Sequence, residues 1–190
     1  DANGCTASLA TPVTITEPVE LTVALDGTPT NVDCNGNSTG SIGITVSGGT
    51  TDYSFSWTDG NGYTSTSEDI STLAAGTYQV VVTDANGCTA SLATPVTITE
   101  PAALVVTGSE LTAVSCNGLS DGSATVTPTG GTAPYTITPS QTGLVAGLHT
   151  FTVEDANGCT TTVDVTITTL DTEAPVLNGQ GEDMIIDCSA

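Results

Sequence analysis

Cysteine and carboxylate carry almost all the reactive chemistry this chain has. Cysteines stand at 5, 34, 88, 116, 159 and 188, and 21 acidic side chains are matched by no lysine or arginine. Cysteines can ligate a metal, act as nucleophiles or form disulfides. Structural zinc sites use pairs at C-x2-4-C spacing, and no such pair occurs here. A nucleophile needs a base beside it. The only histidine, His149, lies in GLHTF at the place where GTYQV carries Tyr78, on the core-facing parity of a strand. That position suits a packed ring, with Tyr78 itself resembling a tyrosine corner. Disulfides formed in an oxidising compartment are what remain.

The carboxylates fall into turns. DANGC occurs at 1–5, 84–88 and 155–159, and DGNG at 59–62. Asn and Gly tolerate a positive φ, and an Asp at the head of a turn can accept from the backbone two residues on. These motifs are therefore hairpin turns first. The same residues, Asp59, Asn61, Asp84, Asn86, Asp155 and Asn157, also offer the hard oxygens that calcium takes. None of them completes the D-x-D/N-x-D/N-G-x5-E loop, so both readings stand. No cofactor is required by either. Glycosidases need a buried pair of carboxylates, and turn residues do not supply one, so the chain is expected not to be an enzyme.

The charge balance excludes partners too. Nucleic acid and anionic membranes bind through basic side chains, which are absent. No apolar run reaches the roughly 18 residues of a membrane span. Lone Trp57 sits in core phase, where several aromatic platforms would mark a glycan site.

The elements that must position these turns alternate with period two. Leu21, Val23 and Leu25 form one such face, followed by Ile42, Ile44 and Val46, by Tyr53, Phe55 and Trp57, by Tyr78, Val80 and Val82, and by Ala90, Leu92, Val96 and Ile98. Glycine-rich turns separate them, as in an all-β sandwich. The same order returns from Leu104 to Ile167 with a shorter stretch before LVAG, which predicts a reduced edge strand there. DANGCTASLATPVTITEP is identical at 1–18 and 84–101. The chain is thus expected to hold the last strand of one repeat (1–18), a full repeat (19–100), a shortened repeat (101–169) and the first strand of a following module (170–190).

The succession CNG, GS-I/A-x-V/I-T-V, SGGT, a Tyr-containing strand, L-x-AG-x-Y/H and TDANGC followed by VTITEP resembles the SprB-type repeat of long surface adhesins in gliding Bacteroidota. The resemblance implies tandem immunoglobulin-like antiparallel β-sandwiches, export by the type IX system and an extracellular, cell-surface, adhesive role. Residues 171–190 resemble the start of an HYR-like module. The family assigns no catalytic residues, and none is carried over.

In such a sandwich the cysteine after DANG begins the last strand at one pole, while Cys34 and Cys116 end the first strand at the other. Strands of seven to ten residues hold those poles about 25–33 Å apart, far beyond the ~4.4–6.8 Å between Cα atoms that a disulfide allows. Stacking units head to tail would instead bring Cys34 to Cys159, with Cys5 paired to Cys88 and Cys116 to Cys188. Bonds within repeats, Cys34 to Cys88 and Cys116 to Cys159, are the alternative if the first strand is short or displaced. The function expected is a stiff spacer or stalk in an adhesin or filament, whose partners are neighbouring repeats of the same or identical chains. A carbohydrate- or surface-binding module, or the accessory domain of a secreted enzyme, is the alternative. With like charges repelling over about 8 Å at physiological salt, removing divalent cations at low ionic strength should lower the melting temperature and added sodium chloride should restore it. Calorimetry across a salt series checks this, and a flat series would remove the screening argument.

Overall fold

The structure is a computed structural model and describes residues 2–8, 11 and 13–170. It is all-β, with no helix among the described residues. The strands are β1 (Thr22–Leu25), β2 (Gly40–Ile42), β3 (Ile44–Ser47), β4 (Ser54–Thr58), β5 (Thr64–Ser65), β6 (Ile70–Leu73), β7 (Gly76–Thr83), β8 (Thr89–Ser91) and β9 (Val96–Ile98) in the first sequence repeat. The second repeat contributes β10 (Val105–Thr112), β11 (Gly122–Thr129), β12 (Thr136–Thr138), β13 (Thr142–Leu144), β14 (Gly147–Glu154) and β15 (Thr160–Ile167). Two compact units are formed, one from Asp1–Pro29, Ile42–Ile70 and Thr77–Thr97, the other from Thr30–Ser41, Ser71–Gly76 and Ile98–Ala190.

The second unit shows the sandwich most plainly. Its sheets run β10-β11-β13 and β12-β14-β15, all antiparallel, the pattern of an immunoglobulin-like fold. Val126, Leu144, Phe151, Val153, Val165 and Ile167 close the core between them, and Phe151 and Val153 are fully buried. Period-two alternation is the cause: each strand sends every second side chain inward.

The first repeat varies this plan. Sheet β5-β4-β7-β8 has β9 also on β7, while β1 pairs with β3 and β2 with β6. The run Ile42, Ile44, Val46 divides at Gly43 into β2 and β3, where the second repeat keeps one continuous β11. The last strand divides too, into β8 and β9. LATP intervenes there, and Pro95 has no N–H to give a ladder, whereas the second repeat runs on through Thr160–Ile167 unbroken. Strand β5 has no counterpart between β12 and β13, where the shorter segment placed the reduced edge.

Identical sequence does not guarantee an identical element. Val96 and Ile98 are 8% and 1% exposed in β9, but Val13 and Ile15 are 72% and 92% exposed, and no strand forms among the described residues of the first eighteen. A strand needs a sheet to complete it. The expected first strand of an HYR-like module lies at 171–190, outside the described residues.

Trp57 is buried in the first unit at 1% exposure. Its Nε1–H donates to the carbonyls of Ser67 and Glu68 at 3.0 and 3.3 Å, so the indole both fills the core and ties down the 67–68 segment. The SGGT loop at 47–50 and its TGGT counterpart at 129–132 close on backbone. Gly48 and Gly130 have φ of +74° and +71°, and a Cβ on either would lie 1.9 or 2.0 Å from the carbonyl oxygen of Glu20 or Ala103. Only glycine fits there. Trp57→Ala is expected to destabilise the first unit by about 3–5 kcal/mol, measured by denaturant unfolding; a loss under about 1 kcal/mol would contradict the core role.

Candidate functional site

The two DANGC turns are built alike around a buried aspartate. Asp84 and Asp155 are each 5% exposed. Asp84 Oδ1 accepts from the N–H groups of Asn86 and Cys88 at 2.9 and 2.8 Å, and its Oδ2 accepts from Thr50 N–H at 3.0 Å. Asp155 repeats this with Asn157, Cys159 and Thr132 at 2.9, 3.0 and 2.8 Å. One carboxylate thus shapes its own turn and holds the SGGT loop against it. Tyrosine fastens the loop from the other side: Tyr53 and Tyr135 donate their hydroxyls to the carbonyls of Gly48 and Gly130 at 2.6 and 2.5 Å.

Those backbone donors favour the charged carboxylate. At Asp84 the Thr50 N–H leads in holding the pKa below the usual carboxylate value. At Asp155 burial pulls upward, and the N–H groups of Thr132, Cys159 and Asn157 together outweigh it. Asp59 makes the same kind of turn with Asn61 and Tyr63 N–H at 2.7 and 3.0 Å, and the Asn61 N–H leads in lowering its pKa. The six candidate calcium ligands therefore belong to three separate turns. At Asp84 and Asp155 both carboxylate oxygens face backbone N–H groups, and the Asn86 amide donates to Thr50 Oγ1 at 2.9 Å. Among the described residues no three His, Cys, Asp or Glu side chains gather as a metal site would need.

Inside the second unit the Cys-Asn-Gly turn of residues 34–36 meets the DANGC turn at 155–159. Cys34 and Cys159 are disulfide-bonded with Cα atoms 5.7 Å apart. Around the bond, Asn157 Nδ2 donates to Asp33 O at 2.8 Å, Asn35 Nδ2 to Pro101 O at 3.1 Å, and Gly36 N–H to Glu100 Oε2 at 2.6 Å. Covalent bond and hydrogen bonds form one joint. The pairings within repeats, Cys34 with Cys88 and Cys116 with Cys159, do not form, because Cys34 and Cys159 are bonded to each other. Cys88 is an exposed free thiol, so the expected Cys5–Cys88 bond is not made. Cys116 is disulfide-bonded, and its expected partner Cys188 lies outside the described residues.

A clasp closes each Cys-Asn-Gly turn, with its parts exchanged between repeats. Asp33 N–H donates to Thr39 Oγ1 at 3.0 Å, and the Thr39 hydroxyl donates to Asp33 Oδ1 at 2.8 Å. In the second repeat Ser115 N–H and hydroxyl donate to Asp121 at 3.0 and 2.5 Å. The Thr39 hydroxyl, with the Asn37 amide, lowers the Asp33 pKa, and the Ser115 hydroxyl lowers that of Asp121. The sequence signalled neither the clasp nor Glu100. The repeated TEP at 16–18 and 99–101 was the available sign of Glu100.

His149 is half-buried and donates from Nε2 to Val145 O at 2.8 Å. Tyr78 is buried at 3% exposure and packs edge-on against Tyr63 with centroids 5.4 Å apart. Tyr53 and Tyr135 make the tyrosine-to-backbone bond that recurs in both repeats.

The family described as SprB repeat matches residues 27–62 and 108–141, and these two stretches are SprB-type repeats. Among solved structures the chain is similar to fibronectin(III)-like modules of Clostridium thermocellum CbhA, at 16% identity and a TM-score of 0.33 over 81% of this chain and 98% of that one. No curated protein matches it.

Asp33, Asp59, Asp84, Asp121 and Asp155 all have lowered pKa values in the folded chain. Their contribution to stability is complete above the unfolded value of about 3.9 and is lost as pH falls through the folded values. The melting temperature should therefore fall as the pH is taken below about 4. Asp84→Asn with Asp155→Asn should melt lower at pH 7 yet lose less over that acid range. Equal acid slopes in the two proteins would show that these turns do not carry the effect.

Proposed function

We propose that this chain is a spacer segment of a bacterial cell-surface adhesin or extracellular filament, non-enzymatic, whose repeats give reach, stiffness and multivalent display. The observation that carries the reading is the Cys34–Cys159 bond with its three flanking hydrogen bonds, because it ties the Cys-Asn-Gly turn that precedes most of the first sequence repeat to the DANGC turn near the end of the second. An array that transmits force or holds a tip away from a surface needs joints that do not slip. Covalent closure supplies that without reliance on ion pairs, which this chain cannot form with lysine or arginine.

The distribution of other chemistry agrees. The carboxylates best placed for reactivity are engaged by backbone donors, and the one histidine is engaged by a carbonyl. Repeats that bond chiefly to their neighbours build length rather than a pocket. Type IX export and the surface location follow from the family resemblance.

Small-angle scattering tests the spacer role. A compact globule of this length would have a radius of gyration of about 16 Å, and the oxidised chain should lie well above that. Reduction, or Cys34→Ser, should add flexibility without unfolding either repeat. A radius near the compact value would overturn the reading.

A further inference from the structure

The joint at Cys159 has an unfilled twin. Every group that receives the Cys-Asn-Gly turn in the second unit recurs in the first repeat. Cys159 corresponds to Cys88, Asn157 to Asn86, Pro101 to Pro18 and Glu100 to Glu17, within the repeated DANGC and TEP motifs. The supporting frame recurs as well, since Asp84 holds the Cys88 N–H as Asp155 holds that of Cys159. Gly49 N–H bonds Val19 O at 2.7 Å as Gly131 N–H bonds Ala102 O at 2.8 Å, which sets the residues just after TEP at the same place beside the turn.

What differs is the occupant. At Cys159 the 33–36 turn fills the position and closes a disulfide. At Cys88 the thiol is free and exposed, and it borders a groove of about 370 Å³ lined by Glu17, Pro18, Leu21, Asp84, Cys88 and Thr89. We infer that this groove is a docking site for the Cys-Asn-Gly turn of another SprB-type repeat, which Cys88 then locks by a disulfide.

The incoming turn would place its asparagine amide on Pro18 O and its glycine N–H on Glu17, with Asn86 donating to the carbonyl before its cysteine. Closure removes two electrons and two protons from two thiols. A small-molecule disulfide accepts them and leaves as two thiols, or a preformed mixed disulfide on the incoming cysteine is attacked by the Cys88 thiolate and expels its small thiol. The proposal concerns assembly between repeats and does not depend on what the array projects, so its failure would leave the spacer reading standing.

The test uses the intact chain and a synthetic peptide of residues 31–39 whose cysteine carries a thionitrobenzoate mixed disulfide. Release of the coloured thiolate gives the rate, and mass mapping after cleavage at acidic residues gives the site. The peptide is expected to modify Cys88 about tenfold faster than a scrambled peptide of the same composition, the gain of roughly one or two placed hydrogen bonds. Glu17→Ala in the chain, or alanine for the peptide's Asn35, should remove most of that advantage while leaving the rate with a small aromatic disulfide unchanged. Equal rates for native and scrambled peptides, faster modification at Cys5, or no effect of Glu17→Ala would each overturn the site.

Discussion

The architecture depends on one buried carboxylate per repeat. Asp84 or Asp155 gives up water and receives three backbone N–H groups, two from its own turn and one from the SGGT loop. A charge removed from solvent is tolerable only when its lone pairs are met by well-placed donors. Here they are, and the consequence reaches past the turn. Holding the loop fixes the segment after TEP through Gly49 or Gly131, and in the second unit Glu100 and Pro101 of that motif receive the Cys-Asn-Gly turn.

Much of this could be read in the sequence, for a physical reason. Alternation of apolar residues fixes which face of a strand is buried, so Trp57, Val80, Val82, Phe151 and Val153 are in the core as their parity requires. Turn chemistry placed the hairpins. The distance between sandwich poles made Cys34 with Cys159 a natural pair once head-to-tail stacking was assumed, and that is the bond present.

Other features were hidden because the two repeats solve the same problem with different residues. Ile44 N–H is met by Asp69 Oδ1 at 3.0 Å, and Val126 N–H in the other repeat by Gln141 Oε1 at 2.8 Å. Thr99 N–H meets Asn31 Oδ1 at 2.9 Å, while Thr168 N–H meets Glu110 Oε1 at 2.8 Å. The Asp33–Thr39 clasp reverses into Ser115–Asp121. In each case the backbone donor is the fixed quantity and the acceptor is whichever oxygen the chain can bring to it. Residue-by-residue comparison misses such equivalences, because what is retained is a satisfied N–H.

The same principle explains how a chain with 21 acidic side chains and no lysine or arginine can fold at all. Carboxylates that cannot pair with cations must either stay in water or find N–H and O–H donors, and the described residues leave no buried side-chain oxygen or nitrogen without a partner. Backbone dipoles thus take the place that ion pairs hold elsewhere. Such bonds are short in range and fix local shape well, which is why they gather at turns: the carboxylates of Asp59, Asp84 and Asp155 each accept from the N–H groups of their own turn.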